Sequence, residues 1–180
     1  MVNVSPVPAV ILVALAIAAA GWDASRGRIP NPLTLGALLL GPAMNFVLGG
    51  RAAFISSLLG AGVGFALFLL PHLAGGLGAG DVKLAAAVGA LMGFPFVVWA
   101  AVNACLVGLV VSLAVVLLRG ELHATFSRIA GSLRALLVPG VDSQAFMGEG
   151  SRVLPFGVFL AAGAVLNLYT GARYAALDLL

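Results

Sequence analysis

Charged side chains are scarce in this sequence. Asp, Glu, Lys and Arg make up 8% of its 180 residues, where a soluble domain carries roughly a quarter. With 62% hydrophobic residues and a mean hydropathy of +1.18, the chain lacks the polar surface a water-soluble fold needs and reads as a polytopic membrane protein. No basic run is present. The nine Lys and Arg are scattered and give a net charge of +3, which argues against a nucleic-acid partner and points to orientation in a lipid bilayer. The one cysteine, Cys105, lies in an apolar segment. It cannot close an intrachain disulfide, and no Cys/His cluster offers a zinc site. Also missing are a Gly-Lys-Ser/Thr phosphate loop, a complete dinucleotide fingerprint, a His-Glu-x-x-His pair and a serine-hydrolase motif around Ser132 or Ser151. No metal and no cofactor are expected.

Long apolar segments fill the chain instead. At roughly 20 residues per crossing they make room for about six transmembrane helices and for no second sizeable soluble domain. The expected fold class is all-α, a single integral-membrane domain over residues 1–180. The expected spans run from about Val7 to Trp22, Pro32 to Leu48, Ala52 to Leu70, Asp81 to Gly93, Phe96 to Leu118 and Val153 to Thr170. Gly49-Gly50-Arg51 is the turn between the second and third, and Phe94-Pro95 breaks the fourth. Asn31-Pro32 reads as a helix N-cap followed by proline at the first helical position. In the polar stretch 119–152, Leu122, Phe126, Ile129, Leu133, Leu136 and Leu137 recur at helical spacing. They predict an amphipathic cytoplasmic helix lying on the membrane between spans 5 and 6. The first span is expected to be retained, because its positive charges, Arg26 and Arg28, follow the apolar run, the reverse of a secretory signal.

Acidic residues are rarest of all, and two of the six stand at the ends of apolar segments: Asp23 and Asp81. A carboxylate at the edge of hydrocarbon is costly and marks a functional site by default. The spans place Arg26, Arg28, Lys83, Arg119, Arg128, Arg134 and Arg152 on one side and leave Arg51 and Arg173 on the other. By the positive-inside rule the first side is cytoplasmic and both termini are outside, which puts Asp23 and Asp81 together at cytoplasmic ends. Two adjacent carboxylates share a proton, so one can act as base on a water while its partner donates to a peptide carbonyl. The glycines ahead of Asp81, Gly78 and Gly80 among them, let a bound extended peptide come close to the backbone. Lys83, Arg26 and Arg28 are either substrate ligands or anchoring and orienting charges. His72 and His123 show no partner pattern and are expected at the interface. An aspartate in this position also serves as a helix N-cap. A small proton- or cation-coupled carrier using Asp23 and Asp81 as its ion site is the alternative, and a structural assembly subunit a third reading.

Gly78-Ala79-Gly80-Asp81 matches the Gly-x-Gly-Asp signature of the intramembrane aspartyl proteases. The segment from Asp23 to Asn31, with two Arg and Ile29-Pro30-Asn31, resembles the first active-site segment of the type IV prepilin peptidases. Gly78 to Leu84 resembles their second, and Leu154-Pro155-Phe156-Gly157 the Pro-Phe-Gly segment that opens their last span. The resemblance implies a bacterial inner-membrane peptidase with Asp23 and Asp81 as its catalytic pair. It would cleave a short basic leader from prepilins at the cytoplasmic face. Larger members carry an extra N-terminal cytoplasmic region with paired cysteines and a methyltransferase activity. With the first span starting by Val7, the expectation is the short, peptidase-only type of tight-adherence pilus systems.

Overall fold

The computed structural model describes residues 6–73, 76–123, 125, 127 and 156–177. Among the described residues the main helices are α1 (Pro6–Arg26), α2 (Asn31–Leu73), α3 (Ala79–Met92), α4 (Phe96–Arg119) and α5 (Phe156–Leu177). Every regular element among the described residues is helical, as the composition requires of a chain with no water to satisfy its backbone. α1, α2 and α4 are each long and apolar enough to cross a membrane. The amphipathic helix expected over 119–152 falls mostly outside the described residues. Residues 1–108 with 155–180 make one unit and 109–154 a second; the first holds every residue discussed below as part of the site.

The 43 residues of α2 are not one rod. Gly50 has φ 66° and ψ −157°, a backbone conformation open to glycine and strained for other residues. It divides α2 into limbs of 31–49 and 51–73, at the turn the glycine pair predicts. Asn45 Nδ2 donates to Ala90 O and Leu91 O at 3.2 and 3.0 Å, and Ser57 Oγ donates to the same Ala90 O. A straight helix would hold Asn45 and Ser57 roughly 18 Å apart, so reaching one carbonyl demands that the limbs fold back on each other. Phe46 and Phe54 close the hairpin edge to face, with ring centroids 5.8 Å apart.

α3 is what the hairpin folds around. From Leu84 to Leu91 every residue is buried. Ala85, Ala86, Ala87 and Ala90 favour the helix and keep its surface shallow. Glycines on the hairpin then bring backbone against backbone. A Cβ on Gly41 would stand 2.5 Å from Ala90 O, one on Gly64 2.5 Å from Ala85 O, and Gly60 and Gly89 meet each other's carbonyls more closely still. This small-residue contact is how helices associate where lipid offers no hydrophobic drive. α3 has 14 residues, about 21 Å of helix against a hydrocarbon core of ~30 Å. It ends at Gly93, φ 76°, ahead of Phe94-Pro95 as expected. α5 lies on α1 and on α4, where Gly163 meets the backbone of Ala104 and Asn167 Nδ2 donates to Phe96 O at 3.2 Å.

Several boundaries differ from the sequence reading: α5 runs on to Leu177, past the expected Thr170, and α3 starts at Ala79, two residues ahead of Asp81. α1 continues past Trp22 to Arg26, so Asp23 sits within its last turn and not in a loop. The helix stops where Gly27, φ 61°, returns its N–H to Asp23 O at 2.9 Å. Pro71, which lies just past the expected end of the third span at Leu70, belongs to the last turn of α2, and the connection to α3 is 74–78.

Candidate active site

The end of α1, the short link to α2 and the start of α3 enclose a cavity of about 670 Å³. Asp23, Arg26, Arg28, Gly78, Gly80, Asp81 and Lys83, the seven residues singled out from the sequence, all line it. The two aspartates come from segments remote in the chain, yet both line this one cavity.

Each aspartate is held differently. Asp81 is 7% exposed. Its position three residues into the turn that follows Gly78 lets Oδ2 accept the Gly78 N–H at 3.1 Å. Asp81 is therefore not the N-cap, a position held by Gly78, but the third helical residue, whose side chain reaches back to the cap's backbone. Its other oxygen has no donor among the described residues. Asp23 is half-buried. Its Oδ2 is shut off from solvent and has no hydrogen-bond partner among the described residues. Against it lies the first turn of α5, where a Cβ on Gly157 would stand 2.8 Å from Oδ2 and 3.1 Å from Cγ. No larger residue leaves the carboxyl group where it is.

The cations have unequal surroundings. Arg26 lies over the Trp22 ring, Cζ 5.8 Å from its centroid, a contact that orients it along the mouth of the cavity. Arg28 is exposed. Lys83 is half-buried and donates from Nζ to Asn31 Oδ1 at 2.9 Å. The Asn31 side chain thus ties α2 to α3 instead of capping α2. His72, which has no partner pattern in the sequence, does have a partner in the structure: Nδ1 donates to Leu77 O at 2.8 Å and steadies the approach to Gly78.

Three further residues shape the site. Ile29, 8% exposed, has its Cβ 3.4 Å from where a Cβ on Gly80 would be and its Cδ1 3.0 Å from the same point on Gly157. Asn31 and Gly157 are the other two. All three lie in segments that carry the family resemblance, but a hydrophobic side chain and a glycine give no chemical signal of their own; only spatial contact reveals them.

Two carboxylates thus line one partly enclosed cavity in a helical protein, three of whose helices are long and apolar enough to cross a membrane. A model of the type IV leader peptidase family matches residues 10–113, a stretch that includes both aspartates and ends before α5. The chain belongs to that family. It is 34% identical over 122 residues to the prepilin leader peptidase/N-methyltransferase of Myxococcus xanthus (strain DK1622), an alignment covering 64% of this chain and 36% of that protein. The chain thus spans little more than a third of the relative's length. No solved structure matches it.

Proposed function

We propose that this protein is an aspartic endopeptidase that removes the basic leader from prepilins at the cytoplasmic face of the bacterial inner membrane. Asp23 and Asp81 are its catalytic pair. The observation that carries the reading is the state of the Asp23 carboxyl: Oδ2 is buried, has no donor among the described residues and belongs to a residue lining the cavity that Asp81 also lines. Leaving a buried acceptor unmade costs about 1–3 kcal/mol, and groups left so in native proteins are frequently those that act on a substrate. One carboxylate would draw a proton from water as the other donates to the scissile carbonyl, the pair titrating as a unit. Gly78 and Gly80 let an extended peptide approach, while Arg26, Arg28 and Lys83 border its path. The two limbs of α2, with α1, α3, α4 and α5, supply six helical segments, in keeping with about six crossings, α3 being the shortest and most enclosed.

The test is cleavage of a prepilin by enzyme reconstituted in lipid. Asp23→Asn and Asp81→Asn are each expected to abolish product while leaving the protein folded in the membrane. Full activity in either variant would remove that residue from the pair.

A further inference from the structure

The two aspartates lie along a short line of neighbours. Asp81 follows Gly80; a Cβ on Gly80 would find Ile29 Cβ and Cγ1 at 3.4 and 3.6 Å; and one on Gly157 would find Ile29 Cδ1 at 3.0 Å and Asp23 Oδ2 at 2.8 Å. Both glycines are faced by the same isoleucine, and Ile29 is buried although it stands in the link between two helices. A Cβ on Gly80 would meet Ile29 at 3.4 Å, ordinary contact, whereas on Gly157 it would meet Cδ1 at 3.0 Å and the carboxyl at 2.8 Å. The fit is tight on the Asp23 side and relaxed on the Asp81 side.

From this we infer that Ile29 is a positioning residue: lying between Gly80 and Gly157, and tight only against the latter, it sets where the Asp23 carboxyl group stands relative to that of Asp81. Its side chain touches neither reacting proton. It acts through Gly157, where any added Cβ would crowd both Ile29 and the Asp23 carboxyl. Packed side chains transmit small displacements because a filled interior has little slack, and reactive groups misplaced by about 1 Å lose on the order of a hundredfold in rate. Gly157 completes the seat, since its bare Cα is what admits the Asp23 carboxyl at the start of α5. The inference rests on the pair assigned above, but its geometric content can be read without any proteolysis.

The first measurement is kinetic. Ile29→Val, which removes the outermost methyl alone, is expected to lower kcat roughly tenfold with KM unchanged, and Ile29→Ala and Gly157→Ala further, toward the hundredfold that such misplacement costs. The second uses no activity. In a Cys105→Ala background, Asp23→Cys/Asp81→Cys is treated in lipid with bis-thiol reagents of graded length. With Ile29 present one length should dominate; Ile29→Val and Ile29→Ala should spread the yield over several. An unchanged cross-linking profile overturns the positioning role even if the peptidase assignment is secure. A fall in KM-dependent binding with kcat intact overturns it as well, because a residue that positions a carboxyl group acts on the chemical step. Should the Asp→Asn variants still cleave prepilin, the catalytic assignment falls while the cross-linking result still decides whether Ile29 spaces the two side chains.

Discussion

The crossing of α2 and α3 can be tested with one methyl group. Gly89 and Gly60 face each other so closely that a Cβ on Gly89 would overlap the carbonyl of Gly60 and approach Ala61 N to 2.9 Å. All these atoms are backbone, so no side-chain rotation relieves the clash, and Gly89→Ala must push the second limb of α2 away from α3. Overpacking of this kind costs typically about 1–3 kcal/mol, and loosening the Ser57 bond to Ala90 adds roughly 0.6 kcal/mol. The expected loss is therefore about 1.5–3.5 kcal/mol. Gly62→Ala is the matched control. It lies in the same limb, is exposed, and has nothing within 4 Å of a new Cβ. There the substitution removes a poor helix former and should be neutral or stabilising by up to about 1 kcal/mol. Equilibrium unfolding in mixed micelles, followed by the fluorescence of Trp22 and Trp99, measures both. Gly60→Ala combined with Gly89→Ala should cost less than the sum of the two, because one displacement accommodates both methyls. If Gly89→Ala lies within about 0.5 kcal/mol of the parent, or behaves as Gly62→Ala does, the close crossing is wrong.

Two shorter predictions concern the site and its surroundings. Lys83 and Asn31 should couple by about 0.5–1.5 kcal/mol in a double-mutant cycle of Lys83→Met and Asn31→Ala, read from unfolding. A coupling near zero would return Lys83 to the role of a free cation facing substrate. Cys105 is exposed on α4, among apolar neighbours; in lipid it should react with a membrane-permeant maleimide and resist a sulfonated one, and rapid labelling by the charged reagent would show that this face of α4 meets water.

The helices were readable because lipid removes the alternatives. Apolar length, a glycine pair at 49 and 50 and the Phe94-Pro95 break place α2, α3 and α4 to within a few residues, since each signal acts locally on the backbone. The ends of α1 and α2 were misjudged for a related reason. Asp23 and Pro71 look like loop residues by type, but helical hydrogen bonding continues through them, and the true stops are Gly27 and the Leu73–Ala79 link. The candidate site was legible to the extent that charge made it so: seven residues chosen for being polar, or for being glycines beside an aspartate, do share one cavity.

Illegible were the residues whose contribution is shape. Asn31 looks like an N-cap in sequence, and its bond to Lys83 joins elements that only the α2 hairpin brings together. His72 has no histidine, cysteine or acid at helical spacing, yet it finds a backbone carbonyl across the glycine link. Ile29 and Gly157 are the clearest instance. An isoleucine in a loop and a glycine in a helix carry neither charge nor periodicity, so their significance exists only once α1, α3 and α5 converge. A site built from two acids at the edge of hydrocarbon needs that kind of support. Charged or hydrogen-bonding residues placed directly against both carboxyl groups would fix their protonation and blunt their reactivity. An apolar side chain such as Ile29 packs beside them without adding a charge or a donor. The part of the site that polarity cannot reveal is for that reason the part that polarity could not have built.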